Sequence, residues 1–402
     1  MRLLTLNAGS SSIKFALFEG VAQALGAPAT PLRMVWAGQA DGLGAGLQAQ
    51  LRVRDSHGTT LTDAALAGKD GTHTGAMQAL LRWQDDQADN TAFDAIGHRI
   101  VHGGTLFRAP VCIDAQVLAQ LTRLEPLAPL HQPHNLAGVR AAMQAFAGVA
   151  QVACFDTAFH VGQPAVNQRF ALPQALHDQG VRRYGFHGLS YESIVAQFAA
   201  VDARLASGRV VVAHLGNGAS LCAIKAGRSV ATTMSFSPLD GLTMGTRCGQ
   251  LDAAVVLHLL REKGMDIDQV TELLYRQSGL LGLSGLSSDM RELEASALPA
   301  AQAAIDHFVE QVVQQLGRMA AALRGIDAIV FTGGIGENAA TLRQRILAQC
   351  AWLGVETGDP CKIGTAVHLS STASHVAAWV FKTDEEAVIA RQTATVVSQT
   401  PG

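Results

Sequence analysis

Two segments roughly 200 residues apart share one plan. "LNAGSSSIKFALF" at 6–18 and "HLGNGASLCAIKAG" at 214–227 each hold an apolar run, a turn of Asn, Gly and Ser, and a second run with a lysine. The pattern reads as strand, tight polar turn, strand. A turn crowded with small hydroxyl and amide groups, with a lysine just beyond, suits an anion such as phosphate. An ordinary Ser-rich hairpin tip is the other reading of either copy alone. Their repetition predicts a duplicated domain, each copy bringing one phosphate-facing turn to a shared cleft. The 402-residue length agrees, because it exceeds what one ordinary core supports.

The rest of the chain alternates short apolar strands with longer helical patterns, the mark of α/β architecture. Residues 152–155, 210–215 and 327–332 read as strands. Residues 300–324 form the clearest helix, with Ile305, Phe308, Val309, Val312, Val313, Leu316, Met319, Ala320 and Leu323 on one face. Gly325 is placed to stop it. Shorter helices are expected at 190–201, with Ser190 as cap, and at 251–262. The Ala/Gly/Pro-rich stretch 22–48 is set aside as peripheral. A third glycine turn, "FTGGIGEN" at 331–338, lies between a strand and a helix pattern, where backbone can approach an anion closely. None of the three turns is GxxxxGK[ST], and "GGIG" is not GxGxxG. Walker-type NTPases and dinucleotide-binding folds are therefore excluded.

Composition narrows the class. Hydrophobic residues make up 48% and charged residues 16%, so the chain is globular. No charge-free apolar run reaches 18 residues, so no membrane span is expected. The N-terminus enters a strand directly, without a secretion signal, so a cytoplasmic location is expected. Six cysteines without any CxxC pair argue for thiols in a reducing compartment, not disulfides or zinc. A net charge of −3 offers no general attraction to nucleic acid or anionic membrane.

Four stretches collect charge beside glycine: "GHRIVHGG" (97–104), "CFDTAFH" (154–160), "RRYGFHG" (182–188) and "GLTMGTRCG" (241–249). In open α/β folds, ligands sit outside strand ends. Arg99 and Arg247 could clamp carboxylate and phosphate oxygens through their rigid donor forks. His187 could donate to a phosphoryl group in flight. Asp156 could position a metal or exchange a proton. Taken singly, each has a blander reading, since arginines are mostly surface residues and His98 or His214 suits a packed histidine. "HQPH" at 131–134 is not read as a metal pair, because its proline disfavours regular helix. Cys248 shows no partners of a nucleophile. Three phosphate-type turns together with four charged strand ends point to phosphoryl transfer, which needs anion cradles, cationic clamps and magnesium but little covalent chemistry.

These residues carry a likeness to a known family. In order, "LNAGSSSIKF", "GHRIVHGG", "LAPLH", "FDTAFH", "RRYGFHG", "HLGNGAS", "PLDGLTMGTRCG", "GLSGLSSDMRE", "FTGGIGEN" and "TDEEAVIAR" resemble the acetokinase family, within the actin-like, sugar-kinase ATPase superfamily. The resemblance covers essentially the whole chain. It implies an α/β fold of two duplicated actin-like ATPase (ribonuclease H-like) domains with an interdomain active-site cleft. Residues 1–157 plus 389–402 would form the first domain and 158–388 the nucleotide-binding second. It implies reversible transfer of the ATP γ-phosphoryl group to acetate, giving acetyl phosphate and ADP, with Mg2+ (or Mn2+). A homodimer is expected on the same ground.

By position, Asn7 and Glu385 would hold the metal, and Lys14 would assist the nucleotide phosphates. Arg99 and Arg247 would grip acetate and the transferring phosphoryl group, His187 would stabilise the transition state, and Asp156 would be the essential acidic residue. His131 and Asn217 would support the phosphoryl group. The turn His214, Leu215, Gly216, Asn217 and Gly218 would cradle ATP. So would Asp289, Met290 and Arg291, and so would Gly334, Ile335, Gly336, Glu337 and Asn338. Val101, Leu130, Phe186 and Pro238 would line the methyl pocket, and a valine at 101 favours acetate over propionate. A carboxylate is already ionised at neutral pH, so no strong base is needed. The arginines would offset repulsion between acetate and the γ-phosphate.

The chain departs from the family pattern near several of these motifs. It has Thr105 after "HGG", Gln132 and His134 in "LHQPHN", Ala231 in "VATTMSF" and Gln250 in "CGQLD", and it reads "HGLSY" for "HGTSH". Two alternatives stay open at this point: a propionate or other short-chain acyl kinase of the same fold, and a nucleotide-binding module that does not transfer.

Overall fold

The computed structural model describes residues 1–9, 12–20, 32–44, 48–87 and 92–399. The chain forms two compact units, Met1–Ala158 with Asp384–Gly402, and Phe159–Thr383.

The first unit is built on eight strands: β1 (Arg2–Ala8), β2 (Ser12–Glu19), β3 (Arg33–Asp41), β4 (Ala49–Asp55), β5 (Thr60–Leu66), β6 (Ala95–Ile100), β7 (Val111–Cys112) and β8 (Ala150–Phe155). Their order across the sheet is β5-β4-β3-β2-β1-β6-β8-β7. The expected hairpin is present, with β1 antiparallel to β2 and Asn7 opposite Lys14. Residues 10 and 11 of its turn lie outside the described residues. Alternation assigns the faces. Leu4, Leu6, Ile13, Phe15 and Leu17 join Ala76, Leu80 and Ala141 from the helices His73–Asp85 and Gln132–Ala145. Ala16 and Phe18 instead meet Ala390 of the helix Glu385–Gln399. Strands covered on both faces read as near-continuous apolar runs, as "RLLTL" and "IKFALF" do.

Two expectations for this unit are corrected. The stretch 22–48, set aside as peripheral, contains β3, which pairs with β2 from Ser12↔Asp41 to Glu19↔Arg33 and carries the sheet on to β4 and β5. Its Trp36 is 5% exposed and meets Phe15 and Trp83 edge-on. Residues 21–31 and 45–47 of the stretch lie outside the described residues. The proline of "HQPH" does not prevent helix either. Pro133 occupies the first turn of Gln132–Ala145, where a missing N–H costs nothing.

The second unit has β9 (Arg209–Leu215), β10 (Ala219–Lys225), β11 (Arg228–Thr232), β12 (Ala328–Thr332), β13 (Thr357–Ile363), β14 (Ala366–Ser370) and β15 (Ala377–Val380). Their order is β11-β10-β9-β12-β15-β14-β13. The second hairpin, β9 with β10, is antiparallel from Ala219↔Leu215 to Lys225↔Arg209. The two sheets share a five-strand core. In the first, β3-β2-β1 run antiparallel in turn and β1, β6 and β8 run parallel. In the second, β11-β10-β9 and then β9, β12 and β15 do the same. The repeat first seen in two hairpins extends to this five-strand core in each unit, as expected of a duplicated actin-like fold.

The long helix spans Pro299–Leu323 and buries every apolar position expected of it. It ends with Arg324 in the left-handed region at φ 58°, followed by Gly325 at φ 122°. The two shorter helices run Gly188–Val201 and Ala253–Arg261. Ser190 does not cap the first of them. The cap position belongs to His187, and Ser190 bonds a neighbouring ring. Among the described residues no disulfide joins the cysteines, and no helix is long and apolar enough to cross a membrane.

Candidate functional site

In the first unit, three strand ends converge. Asn7 is the last residue but one of β1, Arg99 lies near the end of β6, and Asp156 follows β8. Asp156 is 1% exposed and receives Arg99 through Nη2 at 2.7 Å and Nε at 3.2 Å to both carboxylate oxygens. Such a fork-on-carboxylate pairing is strong and orients both partners. Arg99 Nη1 also donates to Asn7 Oδ1 at 3.4 Å and lies 3.8 Å from Glu385 Oε2. Burial works against the charge on Arg99, but Asp156 and then Glu385 more than offset it and raise its pKa. The neighbouring Glu386 is pushed up, first by burial and then by Glu385. Lys14 is exposed, across the hairpin from Asn7.

The "HGG" loop is pinned by the helix Gln132–Ala145. Val101 N–H donates to Asn135 Oδ1 at 2.9 Å, and Asn135 Nδ2 donates to the Ala8 carbonyl at 2.7 Å. Gln132 bonds His102 at both its N–H and its carbonyl, so this departure from the family pattern has a structural use. Val101 is buried, Leu130 is partly exposed, and His131 holds the cap position of the helix. His134 stacks on His73, whose Nε2 bonds the carbonyl of Gly9 at 2.7 Å. Thr105 is exposed.

In the second unit, His187 has φ 58° and ψ 25°, a left-handed conformation that costs a histidine energy. Its ring stacks on His214 at 4.3 Å, with Nδ1 2.8 Å from Ser220 Oγ. Arg247 Nη1 donates to the Pro238 carbonyl at 2.6 Å. A methyl group built on Gly218 would stand 2.8 Å from Arg247 Nη2 and 3.3 Å from His187 Nε2. Arginine, imidazole and the bare backbone of the second hairpin turn thus meet at one point. Phe186 is 1% exposed, and its carbonyl accepts from His160 Nε2 at 2.9 Å. Burial lowers His160 to about 4, so the ring is neutral at ordinary pH and serves to hold the loop.

A cavity of about 790 Å³ adjoins this turn. Of the residues expected to cradle a nucleotide, Gly216, Asn217, Asp289, Met290, Arg291, Gly334, Ile335 and Asn338 line it. A Cβ on Gly334 would meet nothing within 4 Å, which leaves that backbone open to a ligand. His214, Leu215, Gly218, Gly336 and Glu337 do not line the cavity. Glu337 turns back on its own turn, accepting from Gly333 N–H at 3.1 Å and Thr383 N–H at 3.2 Å, so it braces the loop. Ser288, Glu294 and Ala339 also line the cavity and were not anticipated. Ser288 and Ala339 adjoin the predicted Asp289 and Asn338, and Glu294 lies one helical turn beyond Arg291 in the "SSDMRELE" run. Ala231 is buried in β11, and Gln250 accepts from Gln315 Nε2 at 2.9 Å.

The model of the acetokinase family matches residues 2–391. An acetate kinase of Methylocella silvestris is 50% identical over 99% of this chain and 98% of its own. One from Rhodopseudomonas palustris is 50% identical over 97% and 96%. Among solved structures, a propionate kinase from Francisella tularensis superposes with a TM-score of 0.88 at 33% identity, covering 98% of this chain and 99% of its own. The acetate kinase of Porphyromonas gingivalis superposes with 0.83 at 34% identity and the same coverage. On sequence and on fold, from the first hairpin to the last helix, the chain belongs to the acetokinase family.

Proposed function

We propose that the protein transfers the γ-phosphoryl group of ATP to acetate, reversibly and in line, giving acetyl phosphate and ADP. The observation that carries this reading is the meeting of Arg247, His187 and the Gly218 backbone at one point beside a nucleotide-sized cavity. A protein that only bound ATP would have little use for a guanidinium and an imidazole held beyond the cavity. Arg247 would neutralise charge on the phosphoryl group as it moves, His187 would donate a hydrogen bond to it, and Asn217 would support it. Arg99 would hold the acetate carboxylate. Acetate is ionised at neutral pH and needs no base. Asp156, already engaged by Arg99, then acts as a positioning residue that aims the guanidinium.

Asn7 and Glu385 suit a divalent cation. Both are hard oxygen donors, and both approach the same nitrogen of Arg99. An ion at such a place would be held by one or two protein oxygens with the rest of its ligands supplied by phosphates and water. We take the ion to be Mg2+, which when bound would shield the triphosphate.

Val101, Leu130, Phe186 and Pro238 are read as the methyl pocket. One methylene there is worth about 1–3 kcal/mol, so propionate should be a poorer substrate by about 10-fold or more in kcat/KM. Trapping the acyl phosphate with hydroxylamine, across acetate, propionate and butyrate with and without Mg2+, tests the reading. A higher kcat/KM for propionate would make this an acyl kinase of different preference. No hydroxamate from any acid would leave a nucleotide-binding module.

The protein is further proposed to be a homodimer. No residue of the helix Ala253–Arg261 is buried, although its sequence is AAVVLHLLR, and Val255 and Leu257 are 38% and 49% exposed. Apolar side chains left exposed along a helix suit an interaction surface, and a second copy of the chain is the occupant expected of the family. Leu257→Glu should convert a dimer to a monomer in light scattering. A wild-type protein already monomeric at micromolar concentration would remove the proposal.

A further inference from the structure

The stacked pair His187 and His214 stands on two matching hydroxyl chains. His187 Nδ1 is 2.8 Å from Ser220 Oγ, which lies 2.5 Å from the Tyr191 hydroxyl. His214 Nδ1 is 2.8 Å from Ser190 Oγ, which accepts from Thr383 Oγ1 at 3.0 Å. Ser190, Tyr191 and Ser220 are fully buried. A buried phenol must place its proton on an acceptor, and Ser220 Oγ is within reach. Burial also holds Tyr191 well above its ordinary pKa, so the phenol keeps its proton. A serine oxygen that accepts from behind directs its own O–H forward, to the ring nitrogen in front of it. Nδ1 of each ring is then an acceptor, and the single proton of each neutral ring lies on Nε2.

We propose that Tyr191 and Thr383, acting through Ser220 and Ser190, lock His187 and His214 as neutral Nε2–H donors aimed at the turn Gly216–Gly218. The Nε2 edges do face that turn: methyl groups built on Gly218 and Gly216 would stand 3.3 Å from His187 Nε2 and 3.8 Å from His214 Nε2. Two imidazolium rings stacked 4.3 Å apart beside Arg247 would set three cations together, a further reason for neutral rings. The chain supplies N–H donors of fixed direction without storing charge that repels its neighbours. Tyr191, where the family pattern "HGTSH" carries histidine, becomes a positioning residue. That these donors meet a phosphoryl group rests on the function proposed above; their protonation does not.

The test uses full-length protein labelled with 15N-histidine, without substrates, read by two-bond proton–nitrogen correlation. Spectra of His187→Gln and His214→Gln assign the rings. Both should carry their proton on Nε2 at neutral pH. Tyr191→Phe leaves Ser220 Oγ able to accept from Nδ1, so His187 should drift to mixed tautomers while His214 stays put. Its kcat should fall about 3–10-fold, the span of one net hydrogen bond, with both KM values within about twofold. Ser220→Ala should act alike, and Thr383→Val should move His214 alone. A wild-type ring bearing its proton on Nδ1, or charged, overturns the proposal. So does a tautomer unmoved by both Tyr191→Phe and Ser220→Ala, even if the melting temperature falls. If the protein transfers no phosphoryl group, the spectra still decide the relay while the function proposed above fails.

Discussion

Asp156→Ala is expected to abolish measurable transfer and to weaken the first unit at the same time. The substitution leaves the Arg99 guanidinium, whose side chain is 20% exposed, without the carboxylate that receives it at three contacts. Breaking a buried pair from one side costs about 3–5 kcal/mol, and the partial exposure of Arg99 puts this case near the lower end. Glu385 at 3.8 Å is too far to take over as a hydrogen-bond acceptor. The activity loss should be about 10³-fold, because a guanidinium that can swing no longer presents its fork to acetate. Asp156→Asn separates the two effects. The amide fills the same space, so urea unfolding should change by about 1–2 kcal/mol, while transfer should still fall by orders of magnitude. An Asp156→Asn protein with more than a tenth of wild-type kcat would show that the aim of Arg99 is set elsewhere.

Arg247→Ala is the second large effect. Loss of one group placed against developing charge costs about 10²–10³-fold in kcat. Arg247 is tethered by the Pro238 carbonyl, so the guanidinium is preorganised before substrate arrives. Gly218→Ala should lower kcat in the same direction without removing the arginine. Its methyl would lie 2.8 Å from Nη2, so the guanidinium end of Arg247, rather than backbone, must shift from its tethered place. The melting temperature should therefore barely move while turnover drops. If Gly218→Ala turns over normally, Arg247 does not work from the position it occupies in the resting protein.

Much of this was legible in the chain because the physics behind it is local. The two hairpins announce themselves through small polar residues between apolar runs, and the helix Pro299–Leu323 through its period. What escaped was decided at longer range. β3 looks peripheral because Ala37, Gly38 and Ala40 give it little apolar bulk, yet Gly38 is there so that Phe15 and the carbonyl of Arg52 can close over it. Pro133 reads as a breaker until the helix start is known. Ser190 has the composition of a cap, but His214 competes for its hydroxyl. Glu337 stands in a nucleotide-type motif and turns inward to backbone amides that only the folded loop brings near. That Ser288, Glu294 and Ala339 share one cavity depends on how segments some fifty residues apart in the chain come together, although two of them adjoin residues the motifs already marked.

The helix Glu385–Gln399 packs on strands made some three hundred residues earlier, with Ile389 and Thr393 pressed against Gly97 and the Ile389 carbonyl facing Cys154. A ribosome therefore releases both sheets before it delivers the segment that covers the opening one. Until then a flank of β1 and β6 lies bare in the nascent chain, and Glu385 has not yet come beside Arg99. Birth order and assembly order run in opposite senses: the half begun first is the half completed last.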